Sequence, residues 1–288
     1  MPTLYIVPTP IGNLEDITLR ALRTLREVTL IAAEDTRTTR TLLQHYSIET
    51  PLTSYHEHNK LAKLDAIFAA LASGDVALVS DAGTPGISDP GAELIAAAIE
   101  RGVRVEALPG PNAAITALVG SGLPTDGFVF LGFPPKKSKA RRDFLAEIAD
   151  EQRTLIMYES PHRLTETLAA IADTLGERQV CVARELTKLY EELRRGSASE
   201  VRAHYNQQPP RGEIVIVVAG AAPPEIVVWD EAAVRAALRA AFAANEPLNA
   251  AAKRIAREAG WDRRAVYALG VDEKVDVEAC DDHCADSP

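Results

Sequence analysis

Five side chains able to accept or orient a proton, Glu34, Asp35, Glu159, His162 and Glu185, stand at or just after the ends of short aliphatic runs. A sheet would deliver groups so placed to a ligand crevice at its edge. Three glycine- and proline-rich stretches follow the runs as well: residues 8–13 (PTPIGN), 80–86 (SDAGTPG) and 109–112 (PGPN). Gly83, Gly86 and Gly110 allow close backbone approach, and the neighbouring prolines stiffen the loops. Main-chain groups there can recognise a small polar ligand at little ordering cost. Two of the candidates carry a second reading. Asp35 beside Arg37 and Arg40 also suits a helix cap with a local ion pair, and His162 beside Ser160 and Pro161 suits a loop-orienting group.

The elements that must position these groups alternate. Apolar runs at 4–7, 30–33, 76–80 and 103–108 are interleaved with helical periodicity near 16–27, 36–45, 61–73 and 90–101. That is the pattern of an α/β domain, residues 1–122, with the glycine-rich loops at the carboxyl edge of its sheet. Asp89 is placed to cap the helix that Pro90 begins. A second α/β domain, 123–222, is predicted from runs at 128–132, 154–158, 179–184 and 213–218 with helices near 138–149, 160–175 and 197–204. The turn residues between Gly120 and Gly127 would link the two and leave a cleft between them. Residues 228–271 read as a small helical module with helix-turn-helix spacing around Gly260. Residues 272–288, with seven acidic side chains and one lysine, read as a solvated, disordered tail.

Composition narrows the possibilities. The chain has 288 residues, 47% hydrophobic and 25% charged, as in globular proteins, and its net charge of −10 argues against binding nucleic acid by bulk positive charge. The last 17 residues supply −6 of it, leaving −4 for the rest. Basic clusters stand out locally: Lys136, Lys137, Lys139, Arg141 and Arg142, then Lys253, Arg254, Arg257, Arg263 and Arg264. Such runs are either solvated faces or phosphate contacts. Three cysteines are too few for a disulfide framework, and the start has neither a basic segment nor a long apolar one, so a cytoplasmic protein is expected. No run is long enough to span a membrane. Cys280-Asp281-Asp282-His283-Cys284 lacks metal-site spacing, so no metal is expected. Neither G-x-G-x-x-G after the first run nor G-x-x-x-x-G-K-[ST] occurs, which disfavours dinucleotide enzymes and P-loop NTPases.

Residues 7–14 (VPTPIGNL), 33–37 (AEDTR), 80–91 (SDAGTPGISDPG), 108–112 (LPGPN) and 158–163 (YESPHR) resemble the ribosomal RNA small subunit methyltransferase I family, a branch of the tetrapyrrole methylase-like methyltransferases. The resemblance covers about residues 3–270. It implies two α/β domains of that type, a homodimer, and transfer of a methyl group from S-adenosylmethionine to the ribose 2′-hydroxyl of a cytidine in the decoding region of 16S rRNA. It also places cofactor contacts at Ile11, Asp81, Gly83, Thr84, Ala114, Ile115, Met157 and Tyr158. The tetrapyrrole branch has Gly-Asp-Pro where this chain has Ser80-Asp81-Ala82, so the aspartate is kept while its flanks differ. Under this resemblance the basic clusters become RNA contacts: Lys136, Lys137 and Arg141 in one, Lys253, Arg254 and Arg263 in the other. Arg37, Arg163 and Arg184 suit phosphate or a partner carboxylate. The five proton acceptors stay unranked. A methyltransferase of the same fold acting on a tetrapyrrole or protein, or a noncatalytic ribosome-binding protein, are the alternatives.

Overall fold

The computed structural model describes residues 2–56, 60–89, 91–223 and 229–284, with the backbone alone for 60–62 and 274–284. Two compact units are present, Met1–Ala221 and Ala222–Pro288.

In the first unit, strands β1 (Thr3–Ile6), β2 (Leu30–Ala33), β3 (Leu52–Ser54), β4 (Val76–Val79) and β5 (Arg104–Ala107) form a parallel sheet in the order β3-β2-β4-β1-β5. Both faces are covered, as an all-parallel sheet requires. On one side α1 (Leu19–Glu27) and α2 (Thr36–His45) bring Leu22, Leu25, Leu42 and Leu43 onto Ile31, Ala77 and Val79. On the other, α3 (Lys60–Ser73) and α4 (Gly91–Glu100) bring Ile67, Leu71 and Leu94 onto Leu4, Ile6 and Leu78. The period-2 alternation of the strands decides which side chain meets which pair. Asp89 does cap the turn before α4, accepting from the Gly86 and Gly91 amides at 2.7 and 2.8 Å, while Pro90 lies outside the described residues.

The second sheet is mixed. Strands β6 (Phe128–Phe130), β7 (Thr154–Glu159), β8 (Gln179–Arg184), β9 (Glu192–Ser197) and β10 (Ile214–Val218) run in the order β6-β7-β10-β8-β9, with only the β6–β7 pair parallel. Helices α6 (Ser138–Glu147), α7 (Leu164–Leu175) and α8 (Ala198–Gln207) cover its outer face. The inner face belongs to a helix from the first half of the chain: α5 (Ala113–Ser121) sets Ala114, Ala117 and Leu118 against Ile156, Cys181, Ala183 and Val217. Arg195 of β9 clasps the end of α5 through the Ser121 and Gly120 carbonyls. The two regions expected as separate domains, 1–122 and 123–222, therefore pack as one unit, because α5 buries its apolar face on the second sheet.

The second unit holds α9 (Glu231–Ala243), α10 (Leu248–Ala259) and α11 (Arg263–Cys284) around Val234, Leu238, Ile255 and Val266. Gly260, at φ +67°, makes the turn between α10 and α11, and Asp262 caps α11. The expectation of a disordered tail from 272 is corrected here: α11 continues to Cys284. Glu273, nominally part of that acidic tail, is buried and receives Arg235 at 3.2 Å and Arg239 at 3.1 Å, so two α9 guanidiniums neutralise it. Residues 285–288 and the side chains of Cys280 to Cys284 lie outside the described residues. Among the described residues no helix is long and apolar enough to cross a membrane.

Candidate active site

The loops after β1, β4 and β5 meet at the carboxyl edge of the first sheet and are bonded to one another. Thr9 and Gly83 exchange both backbone hydrogen bonds at 2.9 Å, the Thr9 hydroxyl donates to the Ser80 carbonyl at 3.2 Å, and the Thr84 hydroxyl donates to the Pro111 carbonyl at 3.0 Å. Gly83 adopts φ +79°, a left-handed conformation that glycine takes without steric cost. Gly110 sits so close to Pro8 that a Cβ there would lie 2.6 Å from the proline's Cβ. The three loops thus form one rigid rim.

That rim and the end of the second sheet enclose a cavity of about 360 Å³. Ile11, Gly83 and Thr84 line it from the first sheet, Asn112 and Ala113 from the start of α5, and Tyr158 and Ala183 from the ends of β7 and β8. Glu213 and Val215 complete it from β10 and the residue before it. The size falls in the range of small-molecule sites, about 300–1,000 Å³. The mixture of apolar walls with Thr84, Asn112, Tyr158 and Glu213 fits a ligand with an apolar body and polar ends, as S-adenosylmethionine has. Burial raises the Tyr158 hydroxyl pKa, and the Ala114 amide it faces partly offsets this.

Of the cofactor positions, Ile11, Gly83, Thr84 and Tyr158 line the cavity. Asp81 flanks it, next to the lining residue Ala82. Ala114 packs beneath it, and Ile115 borders an adjoining shallow cleft together with Ile11. The Met157 side chain turns the other way, into the outer core with Leu155 and Leu168, because alternate residues of β7 face opposite sides. Only its backbone is available to the cavity side. Sequence reasoning missed Phe133, Leu186 and the segment from Gly212 to Val215. Their one sequence signal was Gly212, which precedes β10 at φ +86° and leaves room for the Glu185 carboxylate.

The acid and base candidates separate by what holds them. Glu34 and Asp81 grip each other's neighbourhood: the Asp81 amide donates to Glu34 Oε2 at 3.2 Å and the Asp35 amide donates to Asp81 Oδ1 at 2.9 Å. Burial first, then the repulsion of Asp81, Asp89 and Asp35, raises the Glu34 pKa against the Asp81 amide bond that lowers it, and burial and the Asp35 charge raise Asp81 against the Asp35 amide bond and Arg37. Asp35 is the cap of α2. Hydrogen bonds from the Arg37 guanidinium, at 2.6–3.1 Å, and from the Arg37 amide hold it down at about 2. Glu159, with its side chain 0% exposed, accepts from the Ser160 amide at 2.7 Å, the Thr167 hydroxyl at 2.5 Å and Arg163 Nη2 at 2.5 Å. It anchors the start of α7. Glu185, at φ +51°, is held low by Lys188 at 2.8 Å and accepts the Glu213 amide at 2.9 Å. His162 is exposed; of the five candidates Glu159 lines the cavity, while Glu34, Asp35, His162 and Glu185 stand outside its lining, Glu34 and Asp35 beside Asp81 at its flank.

The RNA candidates divide the same way. Arg141 is corrected: its side chain is 3% exposed and paired with Glu166 at 3.0 Å, out of reach of a phosphate. Arg163 and Arg184 take the partner-carboxylate alternative, with Glu159 and Glu192. Arg37 is 87% exposed beyond its Asp35 pair. Lys136 and Lys137 are exposed and make no ion pair among the described residues. In the second unit Lys253 is exposed, Arg254 is held between Glu246 (2.6 Å) and Glu258 (3.2 Å), and Arg263 donates to Asn249.

Known proteins resemble this chain in sequence and in fold. Residues 3–202 match the family described as Tetrapyrrole (Corrin/Porphyrin) Methylases. "Ribosomal RNA small subunit methyltransferase I" of Synechocystis sp. is 47% identical across 96% of this chain and 100% of its own length. The proteins of the same name from Escherichia coli O157:H7 and Bacillus subtilis are 48% identical (94% of this chain, 95% of theirs) and 52% identical (78% of each). Among solved structures, cobalt precorrin-4 methyltransferase superposes with a TM-score of 0.59 at 15% identity, covering 75% of this chain and 94% of that one. Uroporphyrin-III-C-methyltransferase from Thermus thermophilus gives 0.52 at 19% identity with the same coverage. These two share the fold. The matched residues include every loop of the cavity rim, and the identity extends over nearly the whole chain, so the chain belongs to the ribosomal RNA small subunit methyltransferase I family within the tetrapyrrole methylase fold.

Proposed function

We propose that this chain uses S-adenosylmethionine to methylate the ribose 2′-hydroxyl of a cytidine in the decoding region of 16S rRNA, in the cytoplasm. The supporting observation is the 47% identity over the full length of a relative named for small-subunit rRNA methylation, in a chain whose matching loops rim a ligand-sized cavity. When bound, S-adenosylmethionine supplies a methyl group activated by a positively charged sulfur. The chain's own work is to hold the two reactants in line and exclude water. Ile11, Ala183 and Val215 provide dry walls, and the rigid loops at Gly83 and Thr84 present backbone groups to the polar ends. Glu34 is the proton acceptor in this reading. Of the candidate carboxylates it is the one without a cationic partner among the described residues, and its raised pKa makes it a stronger base than a solvated glutamate. Asp81 supports it through their shared loop contacts.

The active species is a homodimer. Leu19, Ile115 and Val119 are exposed apolar side chains, and Thr18, Ile115 and Thr187 share one shallow cleft, a surface that a second copy of the chain would cover in this reading. Purified chain, tritiated S-adenosylmethionine and small ribosomal subunits test the reading directly: label should enter 16S rRNA. Cofactor binding without labelling would point to another acceptor, and loss of both would leave a noncatalytic ribosome-binding protein.

A further inference from the structure

At the rim of the cavity, on the loop between β6 and α6, Phe133 is 56% exposed although it is aromatic and lines the pocket. Its ring is fixed. Tyr158 meets it in a T-shaped contact, centroids 5.5 Å apart at 60°, and Phe130 meets Tyr158 in turn at 5.0 Å and 69°. The backbone is fixed too. Gly132, at φ +64°, accepts the Tyr158 amide at 2.9 Å, and Arg163, itself held by the buried Glu159, donates to the Pro134 carbonyl at 3.3 Å. Pro134 and Pro135 stiffen the chain immediately after the ring. An apolar ring held in place and more than half exposed beside a site is available to a flat partner rather than committed to the core.

The next residues supply the complementary charge. Lys136 and Lys137 are exposed without an ion pair among the described residues, Lys139 is exposed, and α6 begins at Ser138 with no side-chain cap on its first amides. An aromatic platform followed within four residues by free lysines and open helix amides matches single-stranded nucleic acid: a base on the ring, its backbone phosphate on the cations. From this we infer that Phe133 is the stacking platform for the nucleobase of the nucleotide being methylated, with Lys136 and Lys137 on the adjoining phosphate. The inference rests on the RNA methyltransferase reading and adds to it which residue holds the base. The enclosed walls take the cofactor, and the exposed part of Phe133 takes the substrate.

The experiment uses small subunits reconstituted with pyrrolocytidine at the cytidine that nucleoside mapping identifies. Adding wild-type chain with S-adenosylhomocysteine should quench the fluorescence by stacking. Phe133→Ala should abolish the quench and raise the KM for the subunit about 5- to 150-fold, the range that loss of one base–aromatic stack produces. The affinity for S-adenosylmethionine should fall far less than the affinity for the subunit, because Phe133 is one of many residues around the cofactor cavity. Phe133→Leu keeps apolar bulk and should behave like alanine, whereas Phe133→Trp should restore the quench. A wild-type quench and KM in Phe133→Ala would overturn the inference, as would parallel loss of cofactor affinity. If wild-type chain methylates no RNA, the parent reading fails and this one with it. If wild type methylates and Phe133→Ala does so with equal KM, only the inference fails.

Discussion

Two carboxylates sharing a desolvated loop contact work against folding, and Glu34 and Asp81 do so at neutral pH. A group whose native pKa is raised binds protons more tightly in the folded state. The stability it lends is therefore present at acid pH and lost as pH rises through the folded pKa. Glu34→Gln should accordingly raise Tm near pH 7, with the gain fading toward pH 4, while methyl transfer collapses. Thermal scans and turnover on the same samples check both halves. In wild type, activity should fall as pH drops through the raised Glu34 pKa. Asp81→Ala should weaken S-adenosylmethionine more than RNA, by calorimetry against filter binding. Equal loss of both in a folded protein would remove Asp81 from the cofactor site. The sequence placed all five proton acceptors near strand ends correctly. It could not rank them, since it does not show which nearby cation turns onto which carboxylate, as Arg37, Arg163 and Lys188 do for Asp35, Glu159 and Glu185, or that the Asp81 amide, 47 residues away, meets Glu34.

Elements explain why Glu159 is better understood as an anchor than as a base. Its carboxylate joins the end of β7 to the start of α7 and compensates Arg163 in a dry setting. Removing one member of a buried pair strands the other. Glu159→Ala should cost about 3 kcal/mol in denaturant unfolding, and in the molecules still folded, with Arg163 no longer held beside the Phe133 loop, it should raise the KM for the subunit more than it lowers kcat. At the rim, Gly110→Ala forces a Cβ into Pro8 and should loosen the β1 and β5 loops, raising the Kd for S-adenosylmethionine with little change in far-UV circular dichroism. The long aliphatic strands were legible from the sequence because burial on both faces demands continuous apolar runs. Strands β3 and β9 were not. They lie at sheet edges, and Leu52–Ser54 and Glu192–Ser197 are half-buried or exposed, so neither carries such a run. The persistence of α11 through the acidic segment was equally hidden, because the neutralising arginines on α9 lie more than thirty residues away.

For the whole molecule, net charge was a poor guide to binding. A chain at −10 still exposes Lys136, Lys137 and Lys253 in places where nothing among the described residues neutralises them, while much of the remaining charge, such as Arg141, Arg163, Arg184 and Arg254, is used internally. Binding to rRNA should therefore be local and salt-sensitive. Lys253→Ala should lower the slope of log K against log salt by about 1, the value of one phosphate contact, whereas Arg254→Ala should act chiefly on stability. What the assembled site does to RNA is tested most directly by nucleoside mass mapping of 16S rRNA from cells with the active chain and from cells without it. A 2′-O-methylcytidine in the decoding region should disappear with the chain and should not return with the Glu34→Gln form. An unchanged 2′-O-methylcytidine signal in cells lacking the chain would contradict methylation by this protein.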